Sequence, residues 1–282
     1  MDATGTSPQE LQAFVARHER LFVITGAGVS TGSGIPDYRD RDGAWKRPPP
    51  ISFQAFTGDD LTRRRYWARS LLGWSHFRHA RPNGAHRALA GLEADGRIEL
   101  LLTQNVDGLH QQAGSRRVVD LHGRIDAVRC LGCGAVTPRA DLQDTLAARN
   151  PGWTALQAGI APDGDADLDG HDFAAFDVPG CARCGGMLKP DVVFFGESVP
   201  RERVAAAMAA LSRSDAVLVA GSSLMVYSGF RFVRAAAAAG LPVAAVNLGR
   251  TRADDLLALK VQAPCAQALG PLSAAGAIPR SS

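Results

Sequence analysis

Five cysteines and seven histidines are the residues of this chain best suited to chemistry. Four of the cysteines form two Cys-x-x-Cys pairs, Cys130 with Cys133 and Cys181 with Cys184, while Cys265 stands alone. Each pair is a two-thiolate clip. Two clips supply the four ligands of a closed, tetrahedral, structural zinc site with no position left for water. Gly132, Gly134 and Gly185-Gly186 provide the tight turns such clips need. Residues 134–180 lie between the pairs, more than the roughly 15–20 of a compact ribbon, so the module carries an added loop. Two redox dithiols or an iron–sulfur site are the alternatives. Cys265 reads as a small buried apolar residue.

Among the histidines, His122 follows an apolar stretch and precedes Gly123. An imidazole that titrates near neutrality suits general-base work, and a structural or surface role is the alternative. His86 and His110 neighbour helix starts; His18, His76, His79 and His171 lie in charged surroundings and are assigned no role.

Four polar segments stand where apolar strands should end. Gly26-Ala27-Gly28 follows the first strand, and such a turn lets backbone N–H groups approach a pyrophosphate. It departs from the dinucleotide fingerprint, because Thr31 occupies the third glycine's place and no acidic strand end follows at about 20 residues. The chain runs on as a polar loop, Ser30-Thr31-Gly32-Ser33-Gly34-Ile35-Pro36-Asp37-Tyr38-Arg39. A nucleotide gripped by a flexible loop suits a cofactor that is broken apart. Gln104-Asn105-Val106-Asp107 offers an amide and a carboxylate for a ribose hydroxyl and a carboxamide; helix capping by Asn105 or Asp107 is the alternative. Gly221-Ser222-Ser223 and Asn247-Leu248-Gly249 suit phosphate and ribose contacts, with turn or cap roles as the alternative. Residues 189–197, including Val193-Phe194-Phe195-Gly196-Glu197, read as a strand whose edge could accept a peptide, or as core.

Those segments need strands and helices to hold them. Ser7-Pro8-Gln9-Glu10 has capping-box spacing and opens a helix striped by Leu11, Phe14 and Val15. Strands are expected at residues 21–24, 98–102, 118–121, 216–220 and 243–246. Helices are expected around Ala85, Leu89 and Leu92, along the face of Val204, Met208 and Leu211, and over residues 230–239 and 254–260. Residues 36–60, with their prolines, read as a loop or small module, and residues 130–189 as loop-like with an acidic stretch at 163–177. Apolar strands alternating with helices define an α/β fold: a doubly wound, Rossmann-like parallel sheet with a smaller inserted zinc-binding domain. The expected division is residues 1–123 and 191–282 for the large domain and 124–190 for the small one, with 36–80 adding a helical or loop module to the latter.

The chain has 282 residues, 46% hydrophobic and 21% charged, so it is an ordinary globular sequence. A net charge of +3 with no basic aromatic cluster near the cysteines argues against nucleic acid. No apolar run is long enough to cross a membrane. The amino terminus has neither a secretory nor a mitochondrial pattern, so a cytoplasmic location and reduced cysteines are expected.

The loop from Gly26 to Arg39 resembles the cofactor loop of sirtuins, the NAD-dependent protein-lysine deacylases. Thr103-Gln104-Asn105-Val106-Asp107-Gly108-Leu109-His110, Leu121-His122-Gly123 and Phe195-Gly196-Glu197 resemble the same family. Residues 221–229 and 246–255 look like its class II branch, to which the mitochondrial lipoamidase/ADP-ribosyltransferase sirtuin belongs. The resemblance implies that NAD is a consumed co-substrate. Its expected contacts are Gly26, Ala27, Gly28, Ser30, Thr31, Ile35, Pro36, Asp37, Tyr38, Arg39, Trp45, Gln104, Asn105, Val106, Asp107, Gly221, Ser222, Ser223, Asn247, Leu248, Gly249 and the Cys265 backbone. The resemblance implies that Asn105 positions the nicotinamide ribose and a water, and that Asp107 with Ile35 holds the nicotinamide amide. By the same resemblance the acyl oxygen is expected to attack C1′, nicotinamide to leave, and His122 to take a proton from the ribose hydroxyls so that acyl transfer to ADP-ribose follows. Acylated lysines of proteins are the expected partners of a monomer. A mono-ADP-ribosyltransferase, or a non-catalytic NAD-sensing or zinc-ribbon module, are the competing readings; His122 favours deacylation.

Overall fold

The computed structural model describes residues 8–46, 48–156, 168 and 170–274. The capping-box Ser7 and part of the acidic stretch lie outside them. A short amino-terminal helix α1 (Pro8–Arg17) leads into β1 (Leu21–Thr25), all five residues of which are buried. After the loop come α2 (Phe53–Gly58), α3 (Asp60–His79) and α4 (Gly84–Ala94), then β2 (Ile98–Thr103), α5 (Leu109–Gln112) and β3 (Val118–Asp120). The excursion that follows contains β4 (Gly123–Cys130), β5 (Val136–Pro138), α6 (Arg139–Arg149) and β6 (Leu188–Val192). The chain closes with α7 (Arg201–Leu211), β7 (Ala216–Ala220), α8 (Tyr227–Ala238), β8 (Val243–Val246), β9 (Leu259–Val261) and α9 (Cys265–Ala274).

Six strands form a parallel sheet in the order β3-β2-β1-β7-β8-β9, and β5-β4-β6 form a separate antiparallel sheet. This is the expected doubly wound architecture. Alternation along the central strands assigns their two faces. Leu21 and Val23 pack with α1, α4 and α9, while Phe22 and Ile24 pack with α7 and α8. The connections reverse direction between β1 and β7, and it is outside the carboxyl ends of such adjacent strands that a crevice opens.

Three expectations change. Residues 254–260 are not a helix: a 3₁₀ turn at Asp254–Leu256 gives way to β9, which pairs with β8 through Ala244 and Leu259. The run Leu256-Leu257-Ala258-Leu259 suits either form, and the open sheet edge decides. The stretch 130–189 contains α6, which buries only Arg139, Leu142 and Leu146, too few positions to give a clear helical stripe. The α7 face buries Ala207, Ala210 and Leu211 completely and Val204 and Met208 only in part.

The small sheet has one covered face. Phe56, Tyr66 and Trp67 of α2 and α3 pack there against Val128, Leu142, Leu146, Phe176 and Phe194. The Arg139 guanidinium lies within 5.4 Å of the Trp67 and Trp74 ring centres and donates to the Ser70 carbonyl, tying α6 to α3.

Candidate active site and metal centre

A cavity of ≈ 520 Å³ opens at the reversal point, between the large sheet and the helices that cover the small one. Its wall brings together Gly26, Ala27, Gly28, Ser30, Ile35, Asp37, Tyr38, Arg39, Trp45, Gln104, Asn105, Val106, Asp107, His122, Val193, Phe194, Phe195, Gly196, Glu197, Gly221, Ser222, Ser223, Asn247, Leu248 and Gly249. Every one of these was named from sequence. Thr31, Pro36 and Cys265 are not in the wall. Cys265 is buried at the start of α9, where burial pushes its thiol up to about 12. Arg41, Met225, Val226 and Ser228 also line the cavity; residues 225–228 lie in the 221–229 segment, but none of the four was among the expected contacts.

The glycines of the first turn serve loop packing. A Cβ on Gly26 would sit 2.8 Å from the Gly221 carbonyl oxygen, and one on Gly28 would sit 2.9 Å from the Gly221 Cα. Gly221 has φ +63°, and a Cβ there would lie 2.2 Å from the Val29 nitrogen. The Gly26 and Gly28 amides donate to the Ala220 and Gly221 carbonyls. Those two amides are spent within the fold, so the turn's first service is to interlock the ends of β1 and β7. The following loop is less flexible than its composition suggests. Arg39 and Trp45 form a bridge, Lys46 donates its amide to the Tyr38 carbonyl, and Arg250 donates its amide to the Arg41 carbonyl at 2.7 Å. Trp45 also stands edge-on to Tyr38 and Phe195. Backbone pairing makes this segment a short hairpin.

The polar ends of β2 interlock with the same loop. Asn105 Nδ2 donates to the Gly26 carbonyl and to Ser30 Oγ, and Ser30 Oγ donates to Asp107 Oδ2 at 2.7 Å. Asp107 Oδ1 accepts the Leu109 amide, so the capping alternative is partly realised as well. Behind them lies a layer that the sequence left unassigned. Thr25 Oγ1 bridges Thr103 Oγ1 and His110 Nε2, and the His110 and His86 rings lie 4.8 Å apart. Burial lowers the pKa of both imidazoles, His110 to about 3.

His122 follows β3. Its Nδ1 lies 3.0 Å from the Gln104 carbonyl oxygen. A carbonyl only accepts, so Nδ1 carries the proton and Nε2 presents its lone pair. Burial holds the imidazole pKa at about 4, against a partial rise from the Gln104 hydrogen bond, so the ring is neutral at ordinary pH. The His122 carbonyl accepts the Val193 amide at 2.8 Å, tying this histidine to the segment after β6. That segment is a strand only to Val192. Glu197 then turns it back, its carboxylate accepting the Phe194 amide and the Lys189 ammonium. Lys189 is buried, and desolvation lowers its pKa against the pull of Glu197.

The four paired cysteines converge between the β4–β5 turn and the approach to β6, all four sulfurs lying within 4.8 Å of one another. Cys130 and Cys184 sulfurs are 3.5 Å apart, and Cys133 and Cys181 sulfurs 3.9 Å. Tetrahedral zinc with ~2.3 Å bonds to sulfur sets its ligands roughly 3.8 Å apart, so the cluster could hold one zinc ion. Gly132 and Gly186 donate amides to Cys130 and Cys184 sulfurs, and a Cβ on Gly186 would lie 3.1 Å from Cys130 Sγ.

A Rossmann-like sheet with a crevice at its strand ends, a half-buried neutral histidine and a four-thiol cluster defines a nucleotide-dependent enzyme class. The Sir2 family model matches residues 26–228, and the chain belongs to that family. A relative from Bradyrhizobium diazoefficiens named NAD-dependent protein deacetylase 2 is 67% identical over 93% of this chain and 96% of its own length. An NAD-dependent protein deacetylase from Bordetella bronchiseptica is 65% identical over 95% of this chain and 98% of its own. A solved Sir2 structure described as holding a p53 peptide and NAD+ has a TM-score of 0.75 at 29% identity, covering 96% of this chain and 99% of that one. Another, described as bound to a propionylated peptide, has a TM-score of 0.75 at 29% identity, with 97% of this chain and 100% of that one covered.

Proposed function

We propose that the protein is an NAD-dependent protein-lysine deacetylase, moving the acyl group from lysine to ADP-ribose with release of nicotinamide. The observation that carries this reading is the neutral His122, with Nδ1 fixed by Gln104 and its ring in the wall that also holds Asn105, Asp107 and the Gly26–Gly28 turn. The names of the relatives support it. Asn105 orients the nicotinamide ribose and a water, and Asp107 with Ile35 receives the carboxamide. Ser222, Ser223 and Asn247 face the phosphates and the second ribose. The segment Val193–Glu197 presents the peptide, and Trp45 against Phe195 closes the acyl-lysine channel. The four thiolates hold zinc away from the reaction and brace the small sheet.

Finer assignments are part of the same proposal. The segments 221–229 and 246–255 support the class II branch. Residues 124–190 with the 36–80 module form the small domain. The working form is a monomer acting on acylated proteins, located in the cytoplasm, with no nucleic-acid or membrane partner. Among the described residues no helix is long and apolar enough to cross a membrane.

The test is nicotinamide release from NAD with and without an acetyl-lysine peptide. Release that requires the peptide, and deacetylation lost in His122→Ala, are expected. Peptide-independent release that survives the substitution would sink the reading.

A further inference from the structure

The Nε2 atom of His122 already has a partner. Ser228 Oγ lies 2.8 Å from it, and Ser228 lines the cavity. Because Nδ1 donates to the Gln104 carbonyl, Nε2 can only accept, and the Ser228 hydroxyl must be the donor. A neutral imidazole has one in-plane lone pair. A ribose hydroxyl that approached His122 directly would have to displace Ser228.

The fold gives Ser228 this place. It is the second residue of α8, which starts at Tyr227 after the loop that follows the end of β7 at Ala220. Gly229 allows the approach, since a Cβ there would lie 2.6 Å from Gln104 Nε2. Gln104 is fixed in turn, with Ser222 Oγ donating to its Oε1 at 2.6 Å. One glutamine thus sets His122 through its carbonyl and α8 through its side chain. The serine and the histidine are registered to each other by the same residue.

We propose that Ser228 is a proton relay for the acyl-transfer step, standing between the ribose hydroxyl and His122. This rests on the deacetylase reading above. In the step, the ribose O–H breaks and its proton passes to Ser228 Oγ, while the Ser228 proton passes to His122 Nε2. The ribose oxygen keeps the electron pair and attacks the acyl carbon. His122 becomes imidazolium, Ser228 ends as the same neutral alcohol, and no further reactant is required. Loss of nicotinamide precedes this step and does not use the relay.

The experiment compares two activities of the full-length protein with an acetyl-lysine peptide: deacetylation, and exchange of labelled nicotinamide into NAD. Wild type and His122→Ala test the underlying reading, which fails on its own terms if wild type shows neither activity, and the relay falls with it. In an enzyme that passes, Ser228→Ala is expected to lower deacetylation by ~10-fold or more. Nicotinamide exchange should change much less, so the ratio of exchange to deacetylation rises. Ser228→Thr, which keeps the hydroxyl, should restore the ratio. Rates in mixed H₂O and D₂O should curve for wild type, where two protons move, and be linear for Ser228→Ala. An unchanged ratio with an unchanged isotope curve in Ser228→Ala overturns the relay. So does a parallel fall of both activities, which indicates only a disturbed cavity.

Discussion

The two sheets of this protein are stabilised in different ways. Every residue of β1, β7 and β8 is buried, because helices cover the parallel sheet on both faces. The three residues of β5 are all exposed, and β4 is buried at alternate positions at best. A sheet covered twice is held by apolar burial at roughly 25 cal/mol per Å². A three-stranded sheet covered once is near the limit of what such burial can support, so an aromatic cluster at one end and four thiols at the other supplement it. Where burial suffices, the large sheet's loops are free to carry chemistry; where it does not, conspicuous residues are spent on structure.

The comparison can be broken most directly at the cysteines. Cys181→Ser is expected to remove one zinc per chain and to open the small sheet to protease between Cys130 and Leu188, while circular dichroism shows the parallel sheet still folded. Simultaneous loss of both halves would show a single cooperative unit instead.

His122→Ala acts on the other half and should leave stability nearly intact. Deacetylation should fall at least ~100-fold, with a melting temperature within a few degrees of wild type. A large fall in melting temperature would mean that the ring is chiefly structural.

A pair of glycines sharpens the contrast further. Gly221 and Gly185 both have positive φ, +63° and +72°. A Cβ on Gly221 meets the Val29 nitrogen at 2.2 Å, whereas one on Gly185 meets nothing within 4 Å. Gly185→Ala should cost only the backbone term, about 1 kcal/mol. Gly221→Ala should cost about 2 kcal/mol or more and raise the KM for NAD, as denaturant unfolding and kinetics would show. Equal costs would deny the interlock between the β1 and β7 loops.

The smallest effect expected is a pH slope. His86, His110 and His122 have folded pKa values below the ordinary 6.5 because burial disfavours their charged forms. The unfolded chain therefore binds more protons below pH 6.5. Stability is complete above that value and declines as pH falls toward about 4 for His122 and about 3 for His110. The slope is at most about 1.4 kcal/mol per pH unit for each histidine. His110→Gln should flatten it in unfolding titrations. Deacetylation should keep its rate below pH 6.5, because His122 stays neutral there; a fall centred at 6.5 would contradict its burial.

Much of this was legible in the sequence. The strands at 98–102, 216–220 and 243–246 are short apolar runs bounded by polar turns, and no helix of that length would be stable. The Cys-x-x-Cys spacing and the polar strand ends named the metal cluster and most of the cavity wall. What was not legible depends on partners distant in the chain. The strand β9 exists because β8 offers it an edge, and α6 fully buries only two apolar side chains, Leu142 and Leu146, which leaves almost no stripe. Met225, Val226 and Ser228 lie in the 221–229 segment but were not among the expected contacts, and they reach the cavity because α8 begins three residues before its apolar pattern does.

The sequence by itself determined which residue types stand at strand ends and how far apart the thiols lie along the chain, since alternation, spacing and turn chemistry are local properties. Only the tertiary structure decided the use of each. It turned the first-turn glycines toward Gly221, made a hairpin of the loop at Arg39–Trp45, and fixed the half-buried His122 against the Gln104 carbonyl. Proton location and pKa follow from desolvation and from hydrogen bonds between residues far apart in sequence, and these arise only when β1, β2, β3 and β7 close into one sheet.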